Sequence, residues 1–188
     1  MVPMSERTQE WIFWIAATIL VAMMVHLGSI YLLPRVVMMR ALDRLGAVNT
    51  MHVGRRPTAA SRAIVRPSPD ILYASCPYDL SKGPLRVTAP VIHSSYWSVS
   101  AFDANTDNYF VKNDSQTPTN TIELVVVEHG QAWPKLDAAV ERVILFSPSE
   151  KGLILIRAVI DDDKHLPAVE AALHQARCGT VASAPKLR

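Results

Sequence analysis

Apolar and polar positions divide this chain into distinct regimes. From Trp11 to Leu33 the run WIFWIAATILVAMMVHLGSIYLL contains no Asp, Glu, Lys or Arg, with Glu10 before it and Pro34-Arg35 after it. At 1.5 Å of rise per residue it makes a helix of about 35 Å, enough to cross a hydrocarbon core of about 30 Å with some tilt. A signal peptide needs a short apolar core, a basic start and a small-x-small cleavage site. This run is too long, follows Ser5-Glu6-Arg7 and ends in Tyr31-Leu32-Leu33-Pro34, so it reads as an uncleaved anchor. Trp11, Trp14 and Tyr31 lie at its ends, where amphipathic rings favour the headgroup level. His26 is its one ionisable residue, and a neutral imidazole near one end of a span finds a backbone or headgroup partner more often than it marks a proton relay.

After Pro34 the periodicity becomes amphipathic. Val36 to Leu45 places Met38, Ala41, Leu42 and Leu45 on one helical face and Arg40, Asp43 and Arg44 on another, with Gly46 positioned to end the helix. This predicts a short separate helix lying along the membrane surface. Asn49 to Pro69, rich in Arg, Pro, Ser and Ala without periodicity, reads as an irregular connector.

Strand patterns follow at Ile71–Cys76, Leu85–Ala89, Tyr96–Phe102, Tyr109–Asn113, Thr121–Glu128, Arg142–Phe146 and Gly152–Ile160, mostly separated by turn residues. In one of them Tyr96, Ser98 and Ser100 alternate with Trp97, Val99 and Ala101, which predicts a face in water and a face inward. Leu124–Val127 and Leu153–Ile156 are continuously apolar and should be central. The pattern predicts a mainly β fold, an antiparallel sandwich or jelly-roll-like domain. One helix closes it, with Leu166, Val169, Leu173 and Ala176 on a stripe and Pro167 in the first turn. The expected organisation is a flank at 1–10, a transmembrane helix at 11–33, a basic juxtamembrane helix and connector at 34–69, a β-rich domain at 70–178 and a frayed tail at 179–188.

With 188 residues and one anchor there is room for one domain with a real core. The net charge of +2 is unevenly spread. Between Pro34 and Arg66, Arg35, Arg40, Arg44, Arg55, Arg56, Arg62 and Arg66 face only Asp43. Beyond Pro67 acidic residues outnumber Lys and Arg, which argues against nucleic acid as a partner. Arg35, Arg40 and Arg44 suit a collar meeting anionic headgroups of the bilayer or an acidic partner, and suit a plain stop-transfer flank equally well.

Orientation pits two rules against each other. Arg7 against Arg35, Arg40 and Arg44 leans towards a cytoplasmic domain. Cys76 and Cys178, near the start and at the end of the soluble domain, permit one disulfide in an oxidising compartment, although two buried free thiols would give the same sequence. No spacing of Cys and His suggests zinc or redox chemistry, and no cofactor is expected.

Candidate chemistry is sparse. Asp103, Asn105, Asp107 and Asp114 alternate oxygen ligands in the manner of a calcium loop, but the sharp-turn glycine is Asn108, the closing Glu is Asp114 and the flanks read as strands. A strand-to-strand turn uses the same residue types. His93, Tyr96 and Trp97 together could line a ligand groove, with core packing as the alternative. Asp161-Asp162-Asp163 precedes the closing helix and reads as a cap. The scattered histidines form no Ser/His/Asp arrangement, and neither a phosphate loop nor HExxH occurs.

The segment DILYASCPYDLSKGPL from Asp70 to Leu85, Tyr96-Trp97-Ser98 and Phe102-Asp103 together resemble bacterial domain-of-unknown-function family 1254. Tyr109 to Asp114, Ser147-Pro148-Ser149 through Leu155-Ile156-Arg157, and Leu166 to Cys178 extend the resemblance over most of the soluble domain. The resemblance implies a β-rich envelope protein in a short, single-anchor form with an exported domain, often beside a companion of family 1214. It brings no catalytic residue with it. The expected role is a non-catalytic accessory or assembly subunit of an envelope membrane complex, with membrane-protein partners and its domain at the periplasmic face of the inner membrane. The alternative is an envelope enzyme or a binder of small carbohydrate or lipid ligands.

Overall fold

The structure, a computed structural model, describes residues 5–62, 66–130 and 141–181. It opens with one helix, α1 (Glu6–Leu45), capped by the Ser5 hydroxyl, which accepts from Thr8 N. Large apolar side chains from Trp11 to Leu33 are exposed along it, and α1 is the one helix among the described residues long and apolar enough to cross a membrane.

The expected break at Pro34 is absent, because α1 runs through it to Leu45. Pro34 cannot donate to the carbonyl of Ile30 and its ring crowds that turn, an expense of about 3 kcal/mol in an ordinary helix. Local and tertiary contacts offset it. Arg35 Nη1 donates to the Tyr31 carbonyl (2.6 Å) and its guanidinium lies 3.9 Å from the Tyr31 ring centroid. Beyond it Met38 and Ala41 are buried where the helix packs against the domain. The apolar face at Met38, Ala41, Leu42 and Leu45 therefore meets protein rather than the bilayer surface. Gly46 ends the helix at φ +106°, and a Cβ there would press on the His52 ring, so glycine is required twice over.

Two sheets follow. Sheet A has the order β1 (His52–Val53), β2 (Ile71–Asp79), β8 (Lys151–Val159), β4 (Trp97–Phe102), β5 (Asn108–Asn113), all antiparallel. Sheet B has the order β7 (Glu141–Ser147), β6 (Thr121–Glu128), β3 (Leu85–Pro90), β9 (Arg177–Thr180). The apolar runs Leu124–Val127 and Leu153–Ile156 lie on the interior strands β6 and β8. Between the sheets pack Leu72, Ala74, Cys76 and Tyr78 of β2, Val87 of β3, Trp97 and Val99 of β4, Leu124 of β6 and Ile154 and Ile156 of β8. Helix α2 (Leu166–Leu173) adds Val169 and Leu173 to this core, with Ala176 just beyond its end. The fold is a β-sandwich with a closing helix behind an apolar amino-terminal helix.

Several details differ from the sequence expectation. The pair β6–β7 is parallel, within an otherwise antiparallel arrangement. The connector contributes β1, which pairs with Ser75 and Ala74. Gly179 and Thr180 belong to β9, paired with β3, rather than to a frayed tail; residues 182–188 lie outside the described residues. Ser98 and Ser100 are buried instead of facing water. The register sets Ser98 between Arg157 and Asn113 and Ser100 between Leu155 and Val111, so taller side chains shade both, and Arg157 Nη2 donates to Ser100 Oγ at 3.3 Å.

On the outer face of sheet B, Glu123 is buried although it points away from the core. Arg142 Nε donates to one of its oxygens (2.8 Å) and Arg86 Nη2 to the other (2.9 Å). Burial pushes the Glu123 carboxyl up, but the bonds from Arg142 and Arg86 outweigh it and hold the pKa below the usual carboxylate range. A depressed folded-state pKa contributes stability that is present above the unfolded value of about 4.3 and lost as pH falls through the folded value. Glu123→Gln is therefore expected to lower stability near neutrality by about 2 kcal/mol, since it leaves two guanidinium groups facing a neutral amide, and to flatten the loss of stability below pH ~4. Denaturant unfolding across acidic and neutral pH checks this; parallel wild-type and variant curves would contradict it.

Candidate functional site

The turn between β4 and β5 holds the residues nominated for calcium. Asp103 is almost fully buried, and its Oδ1 accepts from the backbone N–H of Asn105 (2.7 Å) and Asp107 (2.9 Å). Asp103 N donates to the Asp107 carbonyl (3.0 Å), and Thr106 takes φ +70°. This is carboxylate chemistry spent on a turn, as Asp does when its side chain mimics a backbone carbonyl. Asp114 lies at the far end of the six-residue hairpin strands, where its Oδ1 accepts from Trp97 N (3.2 Å). A strand of that length separates Asp114 from Asp103 by about 16 Å, so Asp103, Asn105, Asp107 and Asp114 do not form one shell. The calcium expectation is corrected accordingly: among the described residues no group of three or more His, Cys, Asp or Glu converges.

Beside this turn lies a buried hydroxyl network that the sequence reading did not single out. Tyr78 of β2 projects inward at the end of the sandwich, with its hydroxyl 2.8 Å from Ser147 Oγ and 3.0 Å from the Tyr109 hydroxyl. Ser147 Oγ donates to the Ser149 carbonyl (2.6 Å), and Ser149 Oγ accepts from Ala104 N (2.9 Å). One consistent proton order runs Tyr109 to Tyr78 to Ser147 to Ser149. Burial is the main cause that raises the Tyr78 pKa, and burial followed by the neighbouring Tyr78 raises that of Tyr109. Both phenols stay protonated and donate. The network locks the β4–β5 turn, β2 and the β7–β8 turn together. A signal for it existed: Tyr78 continues the inward series Leu72, Ala74, Cys76, and an inward tyrosine needs a partner for its hydroxyl.

At the other end, His93, Tyr96 and Trp97 do not make a groove. Trp97 is fully buried in the core, its Nε1 without a hydrogen-bond partner among the described residues, whereas Tyr96 is 48 % exposed. His93 is exposed and its Nε2 bonds to the Thr119 carbonyl (3.2 Å). Tyr96 lies just before β4 and faces solvent while Trp97, the first residue of β4, faces the core, so the two do not line one wall. The acidic triplet does not cap α2 with its side chains. The residue at the cap is His165, which has no side-chain cap bond; Asp161 bonds to His165 Nδ1 (2.9 Å), Asp162 accepts from Lys164 N (2.9 Å), and Asp163 pairs with Arg56 (2.6 Å).

Cys76 of β2 and Cys178 of β9 are bonded, with Cα atoms 6.5 Å apart. Since β2 belongs to sheet A and β9 to sheet B, the bond ties the two layers. Arg35, Arg40 and Arg44 all lie on α1, Arg35 half-buried and Arg40 and Arg44 exposed.

The family described as "Protein of unknown function (DUF1254)" matches residues 48–180, from just past α1 to the last residue of β9. The chain belongs to this family. Within the DUF1254 span fall both sheets, the disulfide and the hydroxyl network; α1 lies outside it. The crystal structure of the VPA0106 protein from Vibrio parahaemolyticus is similar in fold, with a TM-score of 0.56 at 11 % identity, covering 82 % of this chain and 40 % of that one. A putative uncharacterized protein from Burkholderia cenocepacia is similar at a TM-score of 0.43 and 15 % identity, over 60 % of this chain and 32 % of that one. The DUF1254 chain thus spans well under half the length of either solved protein. No curated protein matches it.

Proposed function

We propose that this DUF1254 chain is a non-catalytic accessory or assembly subunit of a bacterial envelope membrane complex, its sandwich held at the periplasmic face of the inner membrane. The observation that carries the reading is the unbroken helix α1, whose apolar length ends in packing against β2 and β8. Such a helix seats a domain at a bilayer, where helix faces and sheet faces serve partners without needing a reaction pocket. The spending of Asp103, Asp114 and Trp97 on turn and core supports the same view. The Cys76–Cys178 bond supports the periplasmic placement, since disulfides persist in oxidising compartments. Arg35 then lies just past the span, where it meets anionic headgroups, with Arg40 and Arg44 about 8 and 14 Å further along α1 towards the sandwich, and membrane proteins, a family 1214 companion among them, are the expected partners.

Affinity purification of the tagged full chain in mild detergent at native expression is expected to yield stoichiometric membrane proteins. A clean monomer would count against the role. Thiol labelling of intact cells, before and after reduction by an impermeant reductant, tests placement: labelling is expected only after reduction.

A further inference from the structure

The outer face of sheet B collects positive charge in a part of the chain where acidic residues predominate. Arg86 on β3, Arg142 on β7 and Arg177 on β9 all share that face, because the register runs Arg177–Thr88–Glu123–Arg142 across the sheet and sets Arg86 opposite Gly179. Glu123 lies among them and pairs with both Arg86 and Arg142. Arg177 is held differently: its Nη1 donates to the carbonyls of His174 (2.6 Å) and Ala176 (3.0 Å). Those bonds fix its guanidinium without neutralising it, so the charge of Arg177 stays on this face.

Between β3 and β9 this face opens into a cavity of about 380 Å³, lined by Arg86, Thr88, Arg177, Gly179 and Thr180 among others. Arg86 and Arg177 stand diagonally across it. Each guanidinium has five N–H donors in a planar fork, of which Arg86 spends Nη2 on Glu123 and Arg177 spends Nη1 on carbonyls. Gly179 leaves the space above the strand clear, since a Cβ there would meet nothing within 4 Å.

We propose that this groove binds a phosphate-type oxyanion, clamped between Arg86 and Arg177 with Thr88 as a further donor. Paired guanidinium forks match the several oxygens of a phosphoryl group, and charge-assisted bonds of that kind are stronger and more directional than contacts to a neutral ligand. The phosphoryl group is that of a soluble phosphate ester or of a lipid headgroup.

Calorimetric titration of the full chain in phosphatidylcholine nanodiscs distinguishes the two, with inorganic phosphate in one arm and water-soluble dihexanoyl phosphatidylglycerol in the other. Saturable binding of phosphate is expected, weakened about tenfold by Arg177→Gln and by Gly179→Val, the latter with an unchanged Tm. Gly179→Val fills the groove while leaving every charge in place, so it reports on the site even if Arg177→Gln loosens the end of α2. Tighter binding of the phosphatidylglycerol assigns the groove to headgroups, and equal or weaker binding assigns it to soluble esters. Absence of saturable binding in both arms, or binding that both variants leave untouched, would overturn the proposal.

Discussion

Replacing Gly152 with alanine is expected to destabilise the domain by about 3 kcal/mol or more, among the largest losses from adding a single methyl group. A Cβ at this position would run into the Phe102 carbonyl oxygen and into the Tyr78 hydroxyl and its ring carbon. The carbonyl belongs to the backbone of neighbouring β4 and the phenol is held in the hydroxyl network, so neither yields without moving a strand. Gly152 also pairs directly with Tyr78 across β2 and β8, so displacement here carries into the register of sheet A. Thermal unfolding of the full chain in detergent checks the expectation, with Gly179→Ala as a control that meets open space and stays within about 0.5 kcal/mol of the wild type. A wild-type Tm for Gly152→Ala would show that the strands are not packed as described.

Reduction of the Cys76–Cys178 bond is expected to cost about 4–5 kcal/mol, because a crosslink over a sequence separation of 102 residues removes much of the freedom of the unfolded chain. That is a large share of the 5–15 kcal/mol typical of a whole domain. The bond also holds the short edge strand β9 across to β2, so its loss is felt at the junction of the two layers. The unfolding curves of the protein in reductant and of the Cys76→Ser/Cys178→Ser double variant should agree with each other and fall well below that of the oxidised protein. Coincident curves would mean that the bond constrains nothing.

Periodicity reported the interior well and the exceptions poorly. Strands with apolar cores, such as Thr121–Glu128, are legible because β-branched residues in a continuous run leave few alternatives. The strands β1 and β9 have two and four residues, too short for a period of two to stand out against a loop. The parallel pairing of β6 and β7 is a property of the chain path between them, which no local pattern encodes. Ser98 and Ser100 read as solvent-facing because hydroxyls are polar, yet small side chains flanked by Arg157 and Leu155 lose their water regardless. Pro34 misled for a related reason: its local penalty is real, but packing several residues downstream decides whether the helix continues.

The candidate site was harder to read still. Asp103 and Asp114 look alike in sequence and differ only by which end of a hairpin they occupy. Glu123 interrupts the apolar run of its strand, and its partners Arg86 and Arg142 come from segments far apart in the chain. Only the register of three strands brings that triad together, so its place on an outer sheet face follows from topology rather than from any motif.

The stretch of α1 beyond Leu33 acts as a rigid mast. Its last twelve residues rise about 18 Å, and because they are helical and seated on β2 and β8, the sandwich stands at a set height and heading above the bilayer. A domain on a loose tether sweeps a hemisphere; a sandwich seated in this way moves with its helix, by lateral diffusion and by turning about the helix axis. Any rotation or tilt imposed on the helix within the bilayer is delivered directly to sheet A, and a torque applied to the sandwich returns to the span by the same route.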